Sequence, residues 1–197
     1  SVVEALKTDP RIGPLAFLAP GLGFSGGTLA RDLQALKEIG RTRGTDTPLL
    51  GAVLEVNRRR PALVLQRLAD LYGTVQGLLI GVLGLTYKAG TSTLRRSVAL
   101  EIIGALARAG ATVRAYDPRA DLAELDGPME FEPVATAYDA AERASALVIL
   151  TEWPEFTGLD FDRIKSVMAK PVIVDGKNLL AGLDLAERGF VYLGVGR

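Results

Sequence analysis

The chain has neither cysteine nor histidine among its 197 residues. Without a thiol it has no thiolate nucleophile, no disulfide and no thiol–zinc site. Without an imidazole it has no Ser–His–Asp arrangement and no histidine base. Acid–base work is left to carboxylates, lysine and tyrosine. No cluster of Asp and Glu has convincing metal-ligand spacing, so no metal site is expected. Charge of one sign is not in excess either: 23 basic residues balance 23 acidic ones. That balance argues against a nucleic-acid binder, which carries a basic surplus. No apolar run approaches the roughly 18 residues that cross a bilayer. The first twenty residues hold Glu4, Asp9 and Arg11 among scattered apolar positions and do not read as a signal peptide. The expected location is the cytoplasm, away from membranes.

What is present is apolar and periodic. Hydrophobic residues make up 48% of the chain, enough for one large domain or a mid-sized domain with a helical appendage. The first third reads as helical. Val2 to Lys7 suits a helix tail stopped by Asp9-Pro10, and a loop rich in Pro and Gly follows from Pro14 to Gly27. Leu29, Leu33, Leu36 and Ile39 recur at helical spacing, with Gly44 placed to end that helix. A longer helix starts after Thr47 with Pro48 in its first turn, and Pro61 kinks or divides it.

After Gly73 the period changes. Leu78 to Leu85 is a continuous apolar run, the mark of a buried parallel strand. Strands are expected at Thr112–Tyr116, Ala146–Leu150 and Pro171–Val174, with Val191–Val195 as an edge. Helices are expected at Ser97–Ala109, Ala137–Arg143, Phe161–Met168 and Leu179–Arg188. The alternation predicts an α/β fold: a helical segment followed by a doubly wound, Rossmann-like parallel sheet.

Gly21-Leu22-Gly23-Phe24-Ser25-Gly26 has the spacing G-x-G-x-x-G. A dinucleotide fingerprint needs a strand before the glycines and an acidic residue ending a second strand about 20 residues later. Here Pro14 and Pro20 precede the loop and helix follows helix, so the fingerprint reading is rejected. Two readings remain: an anion cradle at a helix start, or a plain turn between helices.

The neighbourhood of that loop carries a more specific pattern. Asp9-Pro10-Arg11-Ile12-Gly13, Phe17-Leu18, and Gly23 through Asp32 form its first stretch. Gly84-Leu85-Thr86-Tyr87-Lys88-Ala89-Gly90-Thr91 with Leu94-Arg95-Arg96-Ser97 form the second, and Tyr116-Asp117-Pro118 the third. Thr151-Glu152-Trp153, Glu155-Phe156 and Asp175-Gly176-Lys177-Asn178 complete it. In this order and at this spacing the set resembles the UDP-glucose/GDP-mannose dehydrogenase family over nearly the whole chain.

The resemblance implies an NAD-dependent oxidoreductase that converts a sugar C6 alcohol to a carboxylate. In such enzymes an amino-terminal domain binds NAD, a helical middle dimerises, and a second Rossmann-like domain binds the nucleotide diphosphate. Residues 1–75 would be the rear of the helical middle and residues 76–197 the nucleotide-diphosphate domain. The NAD domain, with the family's catalytic Lys and Asn, would lie upstream. The expected partners are a UDP- or GDP-sugar and a second copy of the chain.

Carried over residue by residue, the resemblance puts Thr28 at the catalytic cysteine's position and Asp32 at the acidic residue one helical turn later. A threonine hydroxyl needs an adjacent base to attack an aldehyde, so the four-electron oxidation is expected to be absent. Thr28 and Asp32 equally suit helix capping and stabilisation of the first turn. Arg11 matches an arginine that reaches the sugar of a neighbouring site, and Phe17, Gly23 and Phe24 match the loop around sugar and ribose. Lys88, in the loop after a buried strand, matches a lysine that meets the sugar nucleotide; a plain surface lysine is the competing reading. Arg95 matches an arginine beside it, with Ser92 and Thr93 in place of two acidic residues. Lys177 replaces an arginine, keeping the charge and losing the bidentate fork. Trp153 and Phe156 suit packing at a strand end, and Arg58-Arg59-Arg60 reads as a solvated helix face.

The function expected first is the carboxyl-terminal half of a nucleotide-sugar dehydrogenase homologue, binding its ligand and dimerising but inactive by itself. Two alternatives stand beside it: a non-catalytic regulatory partner of an intact dehydrogenase, and a full-length oxidoreductase that makes only one hydride transfer.

Overall fold

A computed structural model describes residues 2–196. The helical third runs as α1 (Val2–Lys7), α2 (Leu29–Thr42), α3 (Pro48–Arg59) and α4 (Ala62–Tyr72). Pro61 divides the long apolar stretch, as its ring and missing N–H require. Helices α2 and α3 pack on each other as a hairpin closed at Gly40, where an added Cβ would lie 2.7 Å from Thr47 Cγ2. Between Pro14 and Thr28 the chain has no strand and no helix, so the glycine loop lacks the strand that a dinucleotide fingerprint needs.

The rest alternates strand and helix: β1 (Leu79–Leu83), α5 (Val98–Arg108), β2 (Thr112–Tyr116), β3 (Glu132–Pro133), α6 (Ala137–Ala141), β4 (Ala146–Ile149), α7 (Phe161–Val167), β5 (Val172–Asp175) and β6 (Val191–Gly194). The six strands are parallel, in the order β3-β2-β1-β4-β5-β6. Alternation along the strands loads both faces. Ile80, Val82, Val113, Val148 and Val174 pack with α5 on one side. Leu83, Leu147, Ile149 and Ile173 pack with α6 and α7 on the other. This is the doubly wound arrangement.

Helix α4 belongs to the first of these layers. Val64 and Leu68 are buried in its core, and the Tyr72 hydroxyl donates to Ser145 O at 2.5 Å. By contrast α2 buries only Gly40 and α3 buries no residue.

One expected helix is not there. Leu179–Arg188 forms turns, although Leu180 and Leu185 reach the core. The Asp175 side chain competes for its backbone at Leu180 N. Asp175 accepts from Lys177 N, Leu180 N and the Tyr192 hydroxyl, and Asn178 bonds both N and O of Val195. Asn178 and Asp184 also sit at positive φ, which ends any helix. Strand β3 has two residues, too few to show in the pattern. No helix among the described residues is long and apolar enough to cross a membrane.

Candidate functional site

From β1 the chain steps outward to β2 and β3, and the second half steps the other way through β4, β5 and β6. The order therefore reverses between β1 and β4, and the crevice beyond their carboxyl ends is where open α/β sheets bind ligands. Four segments meet there: the turn after Leu83 that carries Lys88, Asp117 after β2, Thr151–Trp153 after β4, and Asp175–Asn178 after β5.

Asp117 ties three of these strand ends together. Its Oδ2 accepts from Leu85 N at 2.7 Å, from Thr86 N and Oγ1 at 3.0 Å, and from the Trp153 indole at 3.0 Å. Its Oδ1 accepts from Arg119 N and Ala120 N at 2.9 and 3.0 Å. The Thr151 hydroxyl donates to Thr86 O at 2.6 Å, adding a bond between the turns after β1 and β4. Trp153 and Phe156 are buried behind this network.

The glycine loop lands on the same crevice. Leu22 is buried against Gly176, where an added Cβ would come within 2.5 Å of Leu22 Cδ1. Asn57 pins Phe24 from both sides, accepting from its N at 2.7 Å and donating to its O at 3.0 Å. Arg60 donates to Gly21 O at 2.7 and 3.2 Å. Gly23 sits at φ 95°, and a Cβ there would lie 2.4 Å from Asn57 Oδ1, so only glycine fits. At the far end the Ser25 hydroxyl donates to Tyr87 O at 3.3 Å, Gly26 lies against the Tyr87 ring, and Gly26 N donates to Arg96 O at 3.2 Å. The Arg96 guanidinium donates to Gly27 O at 3.1 Å. A cleft of about 500 Å³ opens beside the loop, lined by Phe24, Ser25, Arg31 and Arg96 among others.

The structure thus brings Leu22, Ser25 and Gly26, on either side of Gly23 and Phe24, against the strand-end turns that carry Lys88 and Lys177. Lys88 is exposed, its Nζ 5.6 Å from the centre of the Tyr87 ring. Lys177 is mostly covered and pairs with Glu152 at 2.9 Å. Arg95 is exposed, its backbone N donating to Thr93 Oγ1 at 3.3 Å. Thr93 and Leu94 in turn donate to Glu124 at 2.6 and 2.8 Å. These two bonds hold the Glu124 carboxyl below its usual range, that from the Thr93 hydroxyl being the stronger.

Thr28 stands at the N-cap of α2, but its side chain makes no capping bond, so the capping role expected of it is not seen. Asp32 lies in the first turn and pairs with Arg31 at 3.3 Å. Arg11 is paired with Asp9 on the surface, and Phe17 is fully exposed.

Three residues of this arrangement escape the sequence reading. Asn57 and Arg60 clamp the loop from more than thirty residues away, and Arg60 is no member of a solvated face. Arg58 and Arg59 do spend themselves on Glu55 at the surface. Asp117 was visible only as part of Tyr-Asp-Pro, with nothing to show where its oxygens go.

NAD is implied by the family pattern, and the residues of this sheet do not fit it. A dinucleotide needs a glycine turn leading from β1 directly into a helix, and a free carboxylate at the end of β2 for the ribose. Fourteen residues, numbers 84–97, separate β1 from α5, and both oxygens of Asp117 are already engaged.

Residues 81–182 match the model for the UDP-glucose/GDP-mannose dehydrogenase family, UDP binding domain, and residues 1–59 match that for the family's central domain. The chain is 35% identical over 198 residues to UDP-glucose 6-dehydrogenase TuaD of Bacillus subtilis (strain 168), covering 100% of this chain and 42% of that protein. It is 37% identical over 207 residues to a UDP-glucose 6-dehydrogenase of Pseudomonas aeruginosa, covering 100% of this chain and 45% of that protein. Among solved structures, a UDP-glucose dehydrogenase from the hyperthermophilic archaeon Pyrobaculum islandicum is similar with a TM-score of 0.83 and 30% identity, over 98% of this chain and 42% of that one. The chain spans less than half the length of these relatives. By its fold, its ordered motifs and these matches, it belongs to the UDP-glucose/GDP-mannose dehydrogenase family.

Proposed function

We propose that this chain forms the part of a nucleotide-sugar dehydrogenase that holds a nucleoside-diphosphate sugar at the switch point of its sheet. The observation that carries this reading is the landing of the glycine loop: residues 21–27 lie against Tyr87 and Gly176, next to Lys88 and Lys177. A lysine at a strand's carboxyl end meets diphosphate charge as a point cation. Lys88 is free to do so from the surface. Lys177 has first to exchange Glu152 for the ligand. Phe24 offers a flat apolar surface for a base or sugar, and Arg95 a further cation beside the turn.

Residues 1–75 act in this reading as the helical, dimerising part, and residues 76–197 as the nucleotide-diphosphate domain. Helices α2 and α3 bury almost nothing within the chain and leave Leu36, Ile39, Leu49 and Val56 exposed. A second copy of the chain is the proposed cover for that face, and Arg11 and Phe17, exposed here, would gain partners from it. NAD, the hydride acceptor of the family, is assigned to a part of the protein other than this sheet.

Thr28 limits the chemistry. An aldehyde is oxidised to an acid through a covalent sulfur adduct in this family, and a hydroxyl without a base beside it does not form the equivalent. The nearest acid in sequence on α2, Asp32, is paired with Arg31. The proposed chain binds its ligand without completing a four-electron oxidation, which also suits a non-catalytic partner of an intact dehydrogenase. Calorimetric titration with UDP, UDP-glucose and GDP-mannose tests the reading. Heat with at least one is expected, and none with any of them, from a folded protein, overturns it.

A further inference from the structure

Arg96 combines two features found together nowhere else along the described chain. Its backbone lies at φ 57°, in the left-handed region that non-glycine residues avoid. It also bonds the glycine loop in both directions: its carbonyl accepts from Gly26 N at 3.2 Å, and its guanidinium donates to Gly27 O at 3.1 Å. Strain kept at one residue calls for something in the surroundings that holds it, and these reciprocal bonds are that constraint. With φ returned to a negative value, the carbonyl would turn away from Gly26.

The surroundings make the clasp stiff on one side only. Ser97, the next residue, is buried and caps α5, accepting from Ala99 N at 3.2 Å. Val98, Ala99, Ile102 and Ile103 then anchor α5 in the core. Arg96 is therefore mounted on the rigid sheet layer, while the loop it grips leads straight into Thr28 and α2. Arg11, Arg31, Arg58 and Arg59 are all paired with carboxylates. Arg96 gives its guanidinium to a carbonyl instead.

We propose that Arg96 is a positioning residue, a two-way clasp that sets the glycine loop against the turn carrying Lys88 and so shapes the nucleotide pocket. The inference rests on the site proposed above. It assigns no contact with the ligand to Arg96. The ligand meets the loop and Lys88, and Arg96 fixes the distance between them.

Three proteins test it: the parent chain, R96G and R96K. R96G relieves the left-handed strain and keeps the carbonyl acceptor, but removes the guanidinium. It is expected to melt at the parent temperature or above. Amide exchange across residues 21–30 should nevertheless quicken by about five- to tenfold, and the Kd for UDP should rise by a similar factor. R96K, whose ammonium still reaches a carbonyl, should recover part of both. A residue that only forms a turn would show the stability gain alone. Unchanged exchange in R96G overturns the clasp, and faster exchange with unchanged UDP affinity overturns its positioning role. A parent chain that binds no UDP sinks the site reading instead, and the exchange rates then decide the clasp independently.

Discussion

At the scale of single residues, the carboxylate of Asp117 concentrates more bonds than any other side chain in the crevice. Four donors converge on Oδ2 and two on Oδ1, from the ends of β1, β2 and β4. Asparagine has the same shape but carries an NH2 group, and either orientation of the amide points it at donors. Asp117→Asn should therefore lose about 2–4 kcal/mol, the cost of unmet polar groups plus the weakened charged bonds. Trp153 is the only tryptophan and donates to Asp117, so urea unfolding followed by its fluorescence reads the loss where it arises. A loss under about 1 kcal/mol would mean that water replaces these bonds at little cost.

Among the elements, the stretch between β1 and α5 decides how the candidate site is built, because it is long and has no ladder of its own. Its later part is braced by Glu124, which stands in a short 3₁₀ turn after β2 and accepts from Thr93 and Leu94. Both bonds favour the ionised form, so the folded pKa lies below the ordinary value of 4.5. The brace is at full strength above that ordinary value and is lost as pH falls through the lowered one. Amide shifts of Thr93 and Leu94 should move together on acidification below about pH 4.5. In Glu124→Gln they should show no such step. A step that persists in the variant would assign the titration to another group. The same stretch carries Arg96 two residues beyond Leu94, so the brace and the clasp sit side by side along it.

For the molecule as a whole, the two cores lie on the faces of the sheet and leave the α2–α3 hairpin almost without a core of its own. Leu49, Val53 and Val56 follow one another at helical spacing and stay 73%, 36% and 61% exposed. A short amphipathic hairpin gains its stability from packing its apolar face, and the proposed second copy supplies that packing. Val53→Asp with Val56→Asp should convert a dimer to monomers in sedimentation velocity while the sheet's circular dichroism is retained. A double variant that stays dimeric would place the interface elsewhere.

Much of this architecture is legible from spacing, because helix and strand periods are local properties of the chain. The split at Pro61, the end of α1 before Asp9-Pro10 and the limits of β2 follow from neighbours a few residues apart. The stretch 179–188 shows where that reasoning stops. Its apolar residues have helical spacing and Leu180 and Leu185 are buried, yet Asp175 takes the Leu180 N–H from outside the window, and Asn178, bonded to Val195, turns the chain at positive φ. The candidate site divides in the same way. The family motifs mark Gly23, Phe24, Lys88 and Lys177, whereas Asn57 and Arg60, 33 and 39 residues beyond the groups they hold, carry no mark of that work.

Residue types alone settled which chemistry is open: without cysteine or histidine, this chain has lysines, arginines and carboxylates to bind charge and no thiol to bond an aldehyde. Only the tertiary structure decided which of those groups are already engaged. Lys177 with Glu152, Asp117 with the strand ends and Arg96 with the glycine loop are pairings between distant parts of the chain. A hydrogen bond forms where folding brings donor and acceptor within about 3 Å, and no local period in a sequence encodes that distance.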